Sequence, residues 1–277
     1  MLEQLIQLVR DVGEDVVMPL FLNVARQQKE DGSILTEADL AAQEALQAGL
    51  KAICNCPVVG EEMTAEEQQQ NWAIGNAHAD APGVWCVDPI DGTSNFASGL
   101  PQFAISVAYI KQGRPLLGVV YAPALQELFY AEAGKGAYMR TERMATASLP
   151  LVTPDLNPAA SLREAVAAVD FKRLPKKLAA DLAVQPPYHS QRNFGASTLD
   201  WCYLACGRYD LYLHGGQKLW DYAAASLVLQ EAGGRMRTFE ARDGEDFWDG
   251  DLWLKSVVAG RDPGMFEVWS RWLAKYR

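Results

Sequence analysis

A chain of 277 residues with 49% hydrophobic and 22% charged side chains can fill one broad domain or two joined lobes, and its composition excludes a disordered or fibrous protein. Its 25 Lys and Arg against 35 Asp and Glu give a formal charge of −10, which opposes a nucleic-acid backbone, and no run of 18 apolar residues offers a membrane span. A phosphate ligand would therefore need a positive field that side-chain charge does not supply.

In chain order, Leu2, Leu5, Ile6, Val9, Val12 and Val16 mark one face of an amphipathic helix, predicted to reach about residue 27 with a bend near Pro19. This acid-bearing start differs from the basic flank and unbroken apolar stretch of a signal peptide, so the expected location is the cytoplasm. A polar loop containing Lys29 follows, and Thr36 and Asp39 stand at capping-box spacing before a second helix that fades ahead of Pro57. Val58 and Val59 read as a short strand delivering Gly60, Glu61 and Glu62 into a loop, and residues 63–83 read as a polar linker. The segment VWCV at 84–87 is a strand ended by Pro89; apolar segments at 103–110, 115–132 and 136–140 then read as successive strands with Gly and Pro turns. A helical opening followed by neighbouring strands predicts an α+β lobe with a mostly antiparallel sheet.

The second half changes rhythm. Strand candidates around 163–171 and 208–214 alternate with helix candidates at 176–183, 196–207 and 221–232. The Thr-, Ser-, Pro- and Ala-rich stretch at 141–160 is the expected boundary, dividing the chain into an N-terminal α+β lobe (1–145) and a C-terminal α/β lobe (146–277). The five cysteines, Cys54, Cys56, Cys86, Cys202 and Cys206, have no second close pair and only three histidines beside them, which favours buried thiols over a zinc site.

Chemistry concentrates in the acids. Asp88 ends a strand and Asp91 follows the Pro-Ile step, so both side chains can reach one side of a sharp turn. Gly92 admits close backbone approach, and Thr93 opens a helical turn whose free N–H groups can receive an anion. Two such close carboxylates raise each other's proton affinity unless a cation lies between them, and hard magnesium suits an all-oxygen site. The plainer account makes Asp88 and Asp91 turn residues around Pro89, Glu61 and Glu62 a solvated pair, Asp39 a dipole-complementing acid in the first turn of its helix, and Asp221 the N-cap of a helix closed by Gly233. Against it stands the coincidence that each acid lies at the edge of an apolar element.

Gly60-Glu-Glu62, Asp88-Pro-Ile-Asp-Gly-Thr93 with Asn95-Phe96, and Trp220-Asp-Tyr-Ala-Ala224 running to Gly234 resemble the signature elements of the inositol monophosphatase family, in that family's order and approximate spacing. Thr36-Glu-Ala-Asp39 is similar to its upstream element, and the likeness covers roughly residues 5–260. The resemblance implies a layered α-β-α-β-α sandwich, a magnesium-dependent and lithium-sensitive phosphomonoesterase, a homodimer, and a small phosphorylated metabolite as partner. Carried over by position, Glu62, Asp88 and the Ile90 carbonyl would hold one Mg2+; Asp88, Asp91 and Asp221 would hold a second; and Glu62 would help a third through water. Asp39 and Thr93 resemble the pair that orients and deprotonates the attacking water, the Gly92 and Thr93 amides would meet the phosphate, and Lys29 lies in the loop that the family moves near its metals. The negative charge then makes sense: acids bind metal, and metal binds phosphate.

On the substrate side, Ser197 in the Gly195-Ala-Ser-Thr198 segment resembles a contact to the organic part, while the same segment can cap a helix. His214, seven residues before Asp221, stands where inositol-specific relatives carry a glutamate. A histidine donates, accepts and can be cationic, so it suits a second phosphate or another alcohol as well as a ring polyol. Arg192 is a further phosphate candidate, and Arg173, Lys176 and Lys177 read as a solvated face. Fructose 1,6-bisphosphate and adenosine 3',5'-bisphosphate hydrolysis are therefore carried as alternatives, together with a noncatalytic phosphometabolite-binding protein.

Overall fold

The computed structural model describes the chain except residues 29–31, 33, 79, 142–144, 151–160, 242–244 and 249–252. Helix α1 (Leu2–Val12) buries Leu5, Ile6, Val9 and Val12 and passes through a π turn at Gly13–Val17 into a short 3-10 turn at Met18–Leu20. The predicted helix thus stops at Leu20 rather than residue 27, since Pro19 has no N–H to give and Phe21 is extended. A two-residue hairpin, β1 (Gln27–Gln28) with β2 (Ile34–Leu35), leads into α2 (Glu37–Ile53).

The first sheet is built from β3 (Val58–Gly60), β4 (Val84–Asp91), β5 (Ala104–Lys111), β6 (Arg114–Ala122), β7 (Glu127–Glu132), β8 (Ala137–Thr141) and β9 (Ala147–Ser148), hydrogen-bonded in that order. Only the β3–β4 pair is parallel, as the sequence rhythm implied. Two local readings change. The stretch read as a linker contains α3 (Ala65–Asn76), started by a capping box in which the Thr64 N–H and hydroxyl each donate to Glu67 at 2.9 Å. Its sequence lacks an apolar stripe, so only the box announced it. β4 also runs through Pro89 to Asp91, because the register with β5 shifts between Asp88 and Asp91, and such a bulge tolerates the missing donor. The short α4 (Thr93–Ser98) follows at once.

Beyond the boundary stretch, β10 (Val166–Asp170), α5 (Lys176–Val184), β11 (Ser190–Arg192), α6 (Ser197–Ala205), β12 (Leu211–Lys218), α7 (Leu219–Glu231), β13 (Arg235–Arg237), β14 (Leu254–Gly260) and α8 (Pro263–Leu273) complete the chain. They form a mixed sheet ordered β11-β10-β12-β14-β13, with β10 parallel to β11 and β12 and with β14 antiparallel to its neighbours.

Alternation along the strands explains the layering. Trp85 and Val87 of β4 join Leu5, Val9, Leu46 and Leu50 in a core between the first sheet and α1/α2. Val84 and Cys86 face the other way, into a larger core that holds Trp201, Leu204, Leu227 and Val228 of α6 and α7 together with Tyr212 and Val257 of the second sheet. Leu211, Leu213 and Val258 close a third core with Leu178 and Leu182 of α5 and Trp269 and Leu273 of α8. The architecture is therefore the expected α-β-α-β-α sandwich, an α+β fold with both sheets covered on both faces. At Gly118 the middle layer comes so close that a Cβ would lie 2.5 Å from the Ala224 carbonyl oxygen.

Candidate active site

The acids meet where β4 ends and where α2, α4, α6 and α7 begin. Asp39 is the third residue of α2, wholly buried, and its Oδ2 accepts from the Thr36 N–H at 2.8 Å and the Thr36 hydroxyl at 2.7 Å. That leaves Oδ1 facing Thr93, whose Oγ1 lies 3.0 Å from it and 3.0 Å from the Ile90 carbonyl oxygen. The two residues are 54 positions apart, so only the packing of α2 against β4 joins them. Thr93 is presented by Gly92, whose φ of +88° is left-handed; a Cβ there would lie 2.9 Å from the Gln102 carbonyl oxygen.

Asp88 is 1% exposed, and its Oδ1 has no hydrogen-bond partner among the described residues. Burial pushes its carboxyl well above the usual range, and the charges of Glu61, Asp91, Asp221 and Asp39 push it further. Asp91 is also raised, by burial, against donors that favour its charged form: the Thr198 N–H at 2.7 Å and the Thr198 hydroxyl at 2.6 Å, both to Oδ2, with Ser197 acting in the same sense. Asp221 is raised by burial and then by Asp91, while the Lys218 N–H donates to its Oδ2 at 2.7 Å. It is the third residue of α7 rather than the expected N-cap, because the helix starts at Leu219 and the acid bonds back to Lys218. Thus α6 and α7, 100 and more residues downstream in the chain, bring their N-termini and their acids' partners to the β4 turn.

Glu61 is the residue that sequence reasoning passed over. In the parallel ladder Gly60 pairs with Val87, so Glu61 stands beside Asp88, and it acts on both Asp88 and Asp221. Glu62, the carried-over ligand, is the next residue in the same turn and is half-buried. The pairing of β3 with β4 delivers this turn, with both glutamates, to the end of β4 beside Asp88. Thr198 was missed as well, since nothing local says that it bonds an acid 107 residues away.

Among the described residues, no three acid, histidine or cysteine side chains are already drawn around one metal position. The donor chemistry nevertheless fits magnesium: an orphaned buried oxygen on Asp88, carboxylates that raise one another's proton affinity, and oxygen donors throughout. Lys29 lies outside the described residues.

From this cluster a cleft of about 190 Å3 runs outward, lined by Asp91 and Asp221 at one end and by Ser197, Asp200, Asp170, His214, Lys172 and Arg173 beyond. Ser197 opens α6 and His214 lies on β12, so the structure brings both sequence candidates to the cleft. His214 is a strand residue rather than a loop residue, at the point where β12 and β14 shift register. Its Nδ1 accepts from the Gly216 N–H at 3.1 Å and its Nε2 is 3.7 Å from Asp170 Oδ2. Burial lowers its pKa to about 4, against the opposing pull of Asp170, so of the roles left open to it the neutral ring, which donates and accepts, is the one favoured near pH 7. Arg173 is exposed, as expected of a solvated face, and its Nη1 also donates to the Gly216 carbonyl at 2.8 Å at the cleft wall. Arg192 instead bonds locally, to Ser190 Oγ at 2.6 Å and the Gln191 carbonyl at 2.8 Å. The five cysteines are free thiols, four of them buried.

Comparison with known proteins places this geometry. A family model described as "Inositol monophosphatase family" matches residues 1–269. A fructose-1,6-bisphosphatase/inositol-1-monophosphatase of Thermotoga maritima is 32% identical over 253 residues, covering 87% of this chain and 86% of the relative. A Nus factor SuhB of Haemophilus influenzae is 32% identical over 220 residues, covering 77% and 75%. The solved extragenic suppressor protein suhB of Bartonella henselae superposes with a TM-score of 0.78 at 27% identity, covering 99% of this chain and 98% of that one.

Proposed function

The chain belongs to the inositol monophosphatase family and is a phosphatase of that type, and from that premise we propose that it hydrolyses the monoester of a small polyol or sugar with magnesium held by Asp88, Asp91, Asp221, the Ile90 carbonyl and the Glu61-Glu62 turn. Enzymes of this family generally depend on Mg2+. When bound, the metal supplies charge neutralisation for the phosphate dianion and for the departing oxygen. The observation that carries the reading is the Thr93–Asp39 pair standing beside the converging acids.

In this reading the substrate phosphate lies against the backbone amides at Gly92 and Thr93. A water in line with the ester bond donates to Thr93 Oγ1, whose own hydrogen points to Asp39 Oδ1. As the water oxygen forms its bond to phosphorus, its proton passes to the threonine and the threonine proton passes to Asp39. The ester P–O bond breaks and the alcohol leaves with a proton from solvent water. Thr36 holds Asp39 in place through two donors to Oδ2, which turns Oδ1 towards Thr93. The lobes expected at 1–145 and 146–277 share the work, the first carrying the water-activating pair and the second carrying Asp221.

The test is phosphate release from inositol 1-phosphate with purified protein. Chelation should abolish it, magnesium should restore it, and Asp39→Asn should lower kcat by 100-fold or more with little change in KM. Undiminished release after chelation would sink the mechanism. Lithium inhibition rests on the family likeness alone, and resistance to it would leave the reading standing.

Lys172 and Arg173 in the cleft favour a second reading, in which the alcohol carries another phosphate, as for a sugar bisphosphate. A strong kcat/KM preference for fructose 1,6-bisphosphate over inositol 1-phosphate would select it. On family likeness alone we read the protein as a homodimer, which light scattering at micromolar protein tests, a monomeric mass refuting it. No described helix is long and apolar enough to cross a membrane.

A further inference from the structure

Asp200 lies in the first turn of α6, 5% exposed, between Leu199 and Trp201, which are also buried. It lines the same cleft as Ser197, Asp170 and His214. Its Oδ1 is buried without a hydrogen-bond partner among the described residues. Asp91 and Asp170 both repel its charge, and burial opposes that charge more strongly still. A group kept unpaired at such cost to folding is accounted for when a ligand completes it.

The surrounding groups say what the ligand must offer. Asp170 Oδ1 already accepts from the Lys172 N–H at 2.7 Å, while its Oδ2 stands 3.7 Å from His214 Nε2, beyond direct hydrogen bonding. The His214 Nδ1 accepts from Gly216, which puts the proton of the neutral ring on Nε2. The end of the cleft therefore presents unsatisfied acceptor oxygens and one N–H, a pattern that matches hydroxyl groups, each of which both donates and accepts. A second phosphate placed beside Asp200 and Asp170 would face two carboxylates.

We propose that Asp200 is a specificity-determining residue that accepts a hydrogen bond from a hydroxyl of the substrate's alcohol, so that the cleft selects polyhydroxylated phosphate esters over esters whose alcohol has no hydroxyl. The proposal rests on the phosphatase reading above. Asp200→Asn keeps a carbonyl oxygen at the acceptor position, and Asp200→Ala removes it.

The experiment measures kcat and KM of wild type and both variants with magnesium on inositol 1-phosphate and on phenyl phosphate, together with thermal midpoints. Asp200→Ala is expected to lower kcat/KM for inositol 1-phosphate roughly 10- to 100-fold, mostly through KM, and to change phenyl phosphate less than threefold. Asp200→Asn should recover most of the difference between the two esters. Both variants should melt at or above the wild-type temperature, because each removes a buried charge that its neighbours repel. Equal losses on both esters, no loss on either, or an alanine variant too unstable to purify would each overturn the proposal, the last because a structural role requires it and this one forbids it. The phosphatase reading fails separately, if wild type releases no phosphate from either ester in a magnesium-dependent way.

Discussion

Thr198→Val isolates the contact that ties α6 to the end of β4 at the acids. Valine matches threonine in shape, so the wholly buried site is neither emptied nor overfilled. It removes the hydroxyl that donates to Asp91 Oδ2 at 2.6 Å and leaves the backbone N–H at 2.7 Å. A hydrogen bond to a charged acceptor contributes about 1.5–3 kcal/mol, and for a chain of this size each kcal/mol moves the midpoint by about 2–4 °C. The expected drop in melting temperature is therefore about 3–12 °C. Function should suffer with it, because Asp91 then has one anchor and its second oxygen is no longer aimed from a fixed position; the magnesium concentration for half-maximal activity should rise about tenfold, which corresponds to about 1.4 kcal/mol. Calorimetry and a magnesium titration of phosphate release measure the two effects, and Thr198→Ser should restore both. A valine variant with unchanged midpoint and unchanged magnesium dependence would refute the reasoning, and one that lost stability alone would show that Asp91 needs only its backbone donor.

Asp88→Asn removes a charge that is buried and repelled by Glu61, Asp91, Asp221 and Asp39, so the metal-free variant should melt higher than metal-free wild type while its phosphate release falls 100-fold or more; a lower midpoint by calorimetry would contradict the crowding argument. His214 gives the pH dependence. Its folded pKa of about 4 lies below the ordinary 6.5, so between those values the unfolded chain binds the extra proton and stability falls as the pH drops from about 6.5 towards about 4. His214→Gln should flatten that slope, and a wild-type-minus-variant midpoint difference that stays constant over the window would exclude the assignment.

The amino-acid order alone was enough for the elements whose signal is periodic or motif-bound. The helix opened by Thr36, the strands from 104 to 141 and the apolar helix after Trp220 follow from spacing and turn residues, and Asp88 to Thr93 announced a phosphate chemistry through its resemblance to the inositol monophosphatase signature. Local signals failed where they were ambiguous or absent: α3 has no continuous apolar stripe, and Pro89 reads as a stop until a bulge accommodates it. What only the tertiary structure decided is which groups meet across the chain. The Glu61-Glu62 turn stands beside Asp88 because β3 and β4 pair in one register; Thr198 reaches Asp91 because α6 lies between the two sheets; and Asp200, which nothing local marks, lines the same cleft as Asp91 and His214. Register and layer packing are set by burying whole faces of sheets and helices, an energy summed over dozens of side chains, and no single residue's sequence neighbourhood contains that sum.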